Sequence, residues 1–201
     1  MKTTKIIVIS LFVVSFVSFQ MSYFKSFAQT KTDGELTAKV AEARKTADGL
    51  MQSVRGVLVE LVKDGKFAEA ADACSTMAQD MTKNYAESKE IEVYRVSLKY
   101  RNAMNRPDKL EKRQLKNFDK QAAENTLVKD YYEVVKSGNK RELLYMKPLI
   151  VQGMCLKCHG SESEIPADVK KIFAVNYPKD KAIGYKVGDV RGAITVRMPL
   201  K

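Results

Sequence analysis

From Leu36 the apolar positions recur at alternating spacings of four and three. Leu36, Val40, Ala43, Ala47, Leu50, Val54, Val57 and Leu61 form one seam, which predicts a long helix over residues 35–62. Gly49 and Gly56 inside it weaken the pattern slightly. Lys63-Asp64-Gly65-Lys66 marks a turn, and a second helix follows with Phe67, Ala70, Cys74, Met77 and Met81 on one face. From Ile91 the period changes to two. Tyr94, Val96, Leu98 and Tyr100 alternate with Arg95, Ser97, Lys99 and Arg101, the pattern of a strand with one apolar and one basic face. Asn105-Arg106-Pro107-Asp108 breaks that strand, and Asp108 is placed to cap a short polar helix.

Tyr131 to Val135 and Leu143 to Met146 predict a hairpin around Ser137-Gly138-Asn139, with Pro148 ending the pair. A short helix over Asp168 to Val175 and a final strand over Gly192 to Pro199 complete the series. Helices first, then antiparallel strands with helices between them, is an α+β pattern. The 36–61 seam is expected to cover the protein's own sheet, because one-sided helices usually do.

The first residues carry a different signature. Lys2 and Lys5 precede an apolar run from Ile6 to Phe19, and Ser26-Phe27-Ala28 supplies the small residues of a cleavage site. A signal peptide over residues 1–28, cleaved after Ala28, is the expectation, leaving residues 29–201 as a single domain. An uncleaved anchor competes, since Met21, Tyr23 and Phe24 extend the apolar stretch, but Gln20, Ser22 and Lys25 interrupt it. The formal net charge of +11 is scattered rather than clustered. With export, it fits an anionic membrane surface or an acidic protein partner and argues against nucleic acid.

Composition narrows the chemistry sharply. The chain has three Cys, a single His and no Trp. One imidazole excludes every site that needs two in the same chain. Cys155-Leu156-Lys157-Cys158-His159 is the C-x-x-C-H pattern of c-type haem attachment. Two thiols three residues apart on a tight turn can add to the two vinyl groups of one porphyrin. The following His159 then serves as proximal iron ligand. Two other readings of the cysteines compete: a Cys155–Cys158 disulfide or redox pair, and zinc held by Cys74, Cys155, Cys158 and His159. The first does not require an adjacent histidine, and consecutive Cys158 and His159 are awkward tetrahedral ligands.

With no second His, the distal position falls to Cys, Met, Lys or water, or stays vacant. In an oxidising compartment the odd Cys74 needs an explanation. It is either the distal ligand, with Met77 and Met81 on the same helical face as rivals, or a small buried apolar residue among core methionines. The residues alone do not separate these. The haem propionates need cations or donors, for which Arg95, Lys99, Arg101 and Tyr100 are candidates. The competing reading is a solvated basic strand face.

Several stretches together resemble a family of small exported c-type haem proteins with a PAS-like fold, a domain that also forms the sensor region of membrane histidine kinases. They are Ala70-Ala-Asp-Ala-Cys74, Arg95-Val-Ser-Leu-Lys-Tyr-Arg-Asn102, Asn105-Arg-Pro-Asp108, the C-x-x-C-H run, and Gly184-Tyr-Lys-Val-Gly-Asp-Val-Arg-Gly-Ala-Ile-Thr-Val196. Ala103 departs from the proline expected there. The resemblance implies a long N-terminal helix over a PAS-like antiparallel sheet. It also implies one covalent haem with His159 proximal and Cys74 distal. Two functions are compatible with it. One is an electron-transfer or redox-poise cytochrome. The other is a redox or diatomic-gas sensor that signals through a partner protein, as monomer or homodimer, no kinase module following Lys201. An enzyme is not expected, since no spare acid–base pair accompanies a six-coordinate iron.

Overall fold

The computed structural model describes residues 5–87 and 91–201, with side chains from residue 33 onward except 78, 79, 81 and 84–87. The side chains of the expected signal segment, its cleavage after Ala28 and the Met81 side chain therefore lie outside the described residues. The chain divides into two compact units, residues 1–39 and 40–201. Residues 5–39 of the first are helical. Among the described residues no helix is long and apolar enough to cross a membrane.

Two helices lead, α1 (Lys5–Lys63) and α2 (Phe67–Glu87). They are followed by β1 (Glu92–Val96), α3 (Lys109–Ala123), β2 (Tyr131–Ser137), β3 (Lys140–Ile150), α4 (Leu156–His159), α5 (Ala167–Asn176) and β4 (Val190–Leu200). The fold is α+β, as the pattern predicts, and the four strands form one antiparallel sheet in the order β1-β4-β3-β2.

The two sheet faces follow from strand alternation. On one face Leu144 and Met146 of β3 pack with Val96, Ala193 and the α3 residues Leu115 and Phe118. Asp108 caps α3 by accepting from Glu111 N, while Glu111 reaches back to Asp108 N, a complete capping box. On the other face Tyr145 donates its hydroxyl to Asp130 at 3.0 Å, and Asp130 also accepts from Arg44 of α1 at 2.6 Å. Lys147 pairs with Asp48 of α1. The seam residues Val40, Ala43, Ala47 and Leu50 are buried, while Val54, Val57 and Leu61 are only half-buried.

Two element boundaries differ from the sequence pattern. The strand predicted through Arg101 stops at Val96. Ser97 donates its N–H to Asn105 O instead, and its hydroxyl donates to Arg191 O at 2.7 Å, leaving the ladder at that point. The basic stripe of Arg95, Lys99 and Arg101 is therefore not one strand face. Pro148 does not end β3, which continues to Ile150 against β4 with Pro148 opposite Ala193. The β2 ladder stops earlier, at Tyr131 opposite Met146. Proline is tolerated there because β2 no longer runs alongside.

Beyond Pro148 the β3–β4 register shifts. Leu149 faces Gly192 and Ile150 faces Val190, so Arg191 is the extra residue of a β-bulge. Next to it, a Cβ on Gly192 would run into the Val96 carbonyl oxygen, so only glycine lets β1 and β4 close at this point.

Candidate functional site

The C-x-x-C-H run folds as a turn on a turn. Gly153–Cys155 is a single 3-10 turn, α4 follows directly, and Gly160 stops it by donating to Leu156 O at 2.9 Å. A Cβ on Gly160 would sit 2.7 Å from that same carbonyl and from the Glu164 carboxylate. The two thiols are presented to different surroundings. Cys155 packs with Val151, Ala182 and Tyr185, and its Sγ accepts from Gln152 N at 3.3 Å. Cys158 packs with Ala71 of α2 and with Val169 and Phe173 of α5. Burial pushes the Cys158 thiol up to about 11, against the opposing charge of Arg101. It is thus a protonated thiol, unlike the activated thiolate of a redox-active pair. All three cysteines are free. Among the described residues no three His, Cys, Asp or Glu side chains form a metal-binding group.

His159 is held by the loop after α5. Its Nδ1 donates to Ala182 O at 2.8 Å, and Tyr185 N and Gly184 N donate to the His159 and Gly160 carbonyls. Tyr185 meets the imidazole edge-on, with centroids 6.1 Å apart. Because the Ala182 carbonyl takes the Nδ1 proton, Nε2 carries the lone pair, the tautomer a metal ligand needs. Burial, then the charges of Arg191 and Arg101, hold this imidazole neutral well below the ordinary histidine range, and the Ala182 hydrogen bond opposes them.

Arg101 clamps the same loop to α4. Its Nε donates to Asp180 at 2.7 Å and its Nη2 to Cys158 O at 2.7 Å, while its guanidinium lies 3.5 Å over the Phe173 ring. Asp180 in turn accepts from Ala182 N. The pair is almost wholly buried, yet Arg101 Nη1 has no hydrogen-bond partner.

A cavity of about 140 Å³ lies between these elements. His159, Cys74, Arg95, Tyr100, Arg101 and Arg191 all line it, and Leu58 of α1 forms part of its wall. Five residues singled out from the sequence are thus brought together by the end of β1, the loop after it, and helices α2 and α4. Two others are placed elsewhere. Met77 is 47% exposed on α2 and does not line this cavity. Lys99 lines a separate cleft near Asp119 and Asp189, with its ammonium 4.3 Å from the centre of the Tyr185 ring.

Sequence reasoning missed Arg191, Ala182 and Tyr185. Ala182 acts through its backbone and leaves no side-chain signal. Arg191 had one: an arginine followed by glycine inside an otherwise apolar strand is the composition of a bulge.

The long helix, the antiparallel sheet and the cysteine–histidine turn define the class. A model of the Tll0287-like family matches residues 26–199, and the chain belongs to that family. Among solved structures it is similar to the crystal structure of the cyanobacterial heme-protein Tll0287. The TM-score is 0.54 and the identity 25%, over 76% of this chain and 94% of that one. No curated protein sequence matches the chain.

Proposed function

We propose that this chain is an exported monohaem c-type cytochrome, attached through Cys155 and Cys158, with His159 and Cys74 as axial ligands. Its role in this reading is electron transfer or redox poise. The observation that carries the proposal is that His159, its Nδ1 proton held by Ala182, and Cys74 line one cavity, while both thiols of the C-x-x-C-H run are unpaired. The donor set fits the group: a tautomer fixed by Ala182, thiols for covalent attachment, and a buried Arg101 Nη1 lacking an acceptor. Membership of the Tll0287-like family and likeness to a cyanobacterial heme-protein support it.

The bound haem would supply a one-electron Fe(III)/Fe(II) couple. The chain's own residues do the rest. Ala182 and Tyr185 orient His159, Arg101 and Asp180 hold the turn against its loop, and Arg95 and Tyr100 line the same cavity as Cys74. A thiolate on the distal side stabilises ferric iron and lowers the potential. Met77 and Lys99 have no part in this reading, given where their side chains lie. The family match begins at residue 26, beside the expected cleavage after Ala28, which supports export to an extracytoplasmic compartment. The partner is a redox protein with an acidic face, or one working at an anionic membrane surface.

A sensor is the alternative. Cys74 sits on α2 and His159 on α4, so loss of the Cys74 bond would leave the two helices tied only by packing such as Cys158 on Ala71, free to shift. Optical spectra of the matured chain test both readings. A Soret band that carbon monoxide leaves unchanged in the reduced protein supports the carrier, and a rapid shift supports the sensor. No Soret band overturns the haem reading. Cys74→Ala that leaves the ferric spectrum unchanged overturns Cys74 as ligand.

A further inference from the structure

Arg191 stands at the bulge of β4, and the bulge turns its side chain into the cavity. Its Nε donates to His159 Nε2 at 3.3 Å, and its Nη1 donates to Ser97 Oγ at 2.9 Å and to Lys99 O at 3.3 Å. Ser97 returns a hydrogen bond to the Arg191 carbonyl, so one hydroxyl fixes both ends of the residue. Each of these acceptors is neutral. Asp180, a carboxylate of the same region, is already engaged by Arg101 and by Ala182 N. A half-buried guanidinium whose hydrogen-bond acceptors are all neutral, with the Tyr185 ring face 5.5 Å away, is only partly compensated, which is costly unless an anion arrives to meet it.

The position is equally specific. The one nitrogen of His159 free to take a metal is the nitrogen Arg191 covers. A ligand approaching Nε2 must displace that guanidinium, while the bulge and Ser97 keep its Cα where it is. The displaced cation would stay in the cavity that His159 lines, available to the carboxylates that a haem carries. Interrupting the ladder and closing β1 on Gly192 to hold one arginine there is a specific arrangement.

We propose that Arg191 is a positioning residue that changes partners: it covers His159 Nε2 in the haem-free chain and, once haem is attached, supplies the fixed positive charge that sets the site's reduction potential. The proposal rests on the haem reading above. A cation beside the iron disfavours Fe(III), so its removal should favour the ferric state.

The test uses the full chain, matured with haem and also prepared haem-free. In the matured protein, Arg191→Gln is expected to raise the ferric-over-ferrous preference about tenfold, a fall of about 59 mV for a one-electron couple. Arg191→Lys keeps the charge and should recover most of it. In the haem-free chain the only imidazole gives a single nitrogen-15 spin system. Arg191→Gln should shift the Nε2 resonance toward that of a free lone pair and leave Nδ1 in place. If Arg191→Gln does not mature, Ser97→Ala, which loosens Arg191 without removing its charge, should move the potential the same way by a smaller step. A Soret band with unshifted potentials in these variants overturns the proposal alone. A wild-type chain that acquires no Soret band overturns the haem reading beneath it. In that case a Nε2 signal that responds to Arg191→Gln still shows the contact, now without its purpose.

Discussion

Two arginines stand toward opposite ends of β4 and meet opposite surroundings. Arg197 lies in a closed account of charge: it reaches Asp108 and Glu142, and its Nε donates to the Tyr94 hydroxyl at 2.8 Å. Asp108 is at the same time the cap of α3, so this cluster ties helix, sheet edge and hairpin together. Arg191 has a hydroxyl, a peptide carbonyl, an imidazole and the face of the Tyr185 ring, and among the described residues no carboxylate hydrogen-bonds it. The same side chain on the same strand is structural where its acceptors are carboxylates of the fold. It is functional in character where the fold leaves the balancing charge to something else.

The widest separation of the two ends should come from His159→Ala. It removes the imidazole proposed as the iron's ligand and should abolish the haem spectrum of the matured protein, while far-UV circular dichroism of the haem-free chain stays unchanged. An unfolded variant would mean that the open end is also part of the framework. Arg101→Leu should be the most destabilising single change near the cavity. It strands a buried Asp180 and frees the loop that holds His159, at a cost of about 3 kcal/mol in urea unfolding. Arg197→Leu should cost less, about 1–2 kcal/mol, because Asp108 and Glu142 are partly exposed and regain water. Its haem spectrum and potential should match wild type. Gly192→Ala should cost about 1–2 kcal/mol by forcing β1 away from β4, and unlike Arg197→Leu it should also disturb the potential through Arg191.

The smallest effect lies on the α1 face of the sheet, where Tyr145 stands opposite Val196. The hydrogen bond from Arg44 holds the Asp130 carboxyl below the usual carboxylate range, helped by Tyr145 and opposed by burial. Its folded pKa is lower than its unfolded one. The stabilisation is therefore fully present above about pH 4 and is lost as the pH falls through the folded value. Asp130→Asn should flatten that acid limb of a stability–pH curve by lowering its neutral plateau, and leave the acid end, like the haem, nearly untouched.

Much of this was legible because the responsible forces are local. The seam through Val40, Ala43, Ala47 and Leu50, the Asp108 cap and the β2–β3 hairpin each announce themselves within a few residues. The C-x-x-C-H run does so too, since its chemistry depends on spacing alone. What was not legible depends on meetings across the chain. The strand's early end at Val96 reflects a bulge on β4, and a period-two pattern carries no record of its neighbour's register. Arg101 alternates like a solvated strand residue yet serves as a buried clamp, because Asp180 and the Cys158 carbonyl arrive from elsewhere. Met77 shares the helical periodicity of Cys74, but the apolar stripe of α2 is wider than the cavity wall.

The bulge at Arg191 also sets the protein's mutational future. Deleting that one residue would restore a regular ladder between β3 and β4 and remove a half-buried cation that no carboxylate among the described residues hydrogen-bonds, and both changes favour stability. The same deletion would turn Val190, the first residue of β4, to the opposite side and remove the guanidinium that covers His159. Selection for a sturdier fold and selection for a working site therefore pull on this single position in contrary directions. A lineage that had lost its cofactor would be expected to straighten β4 here first.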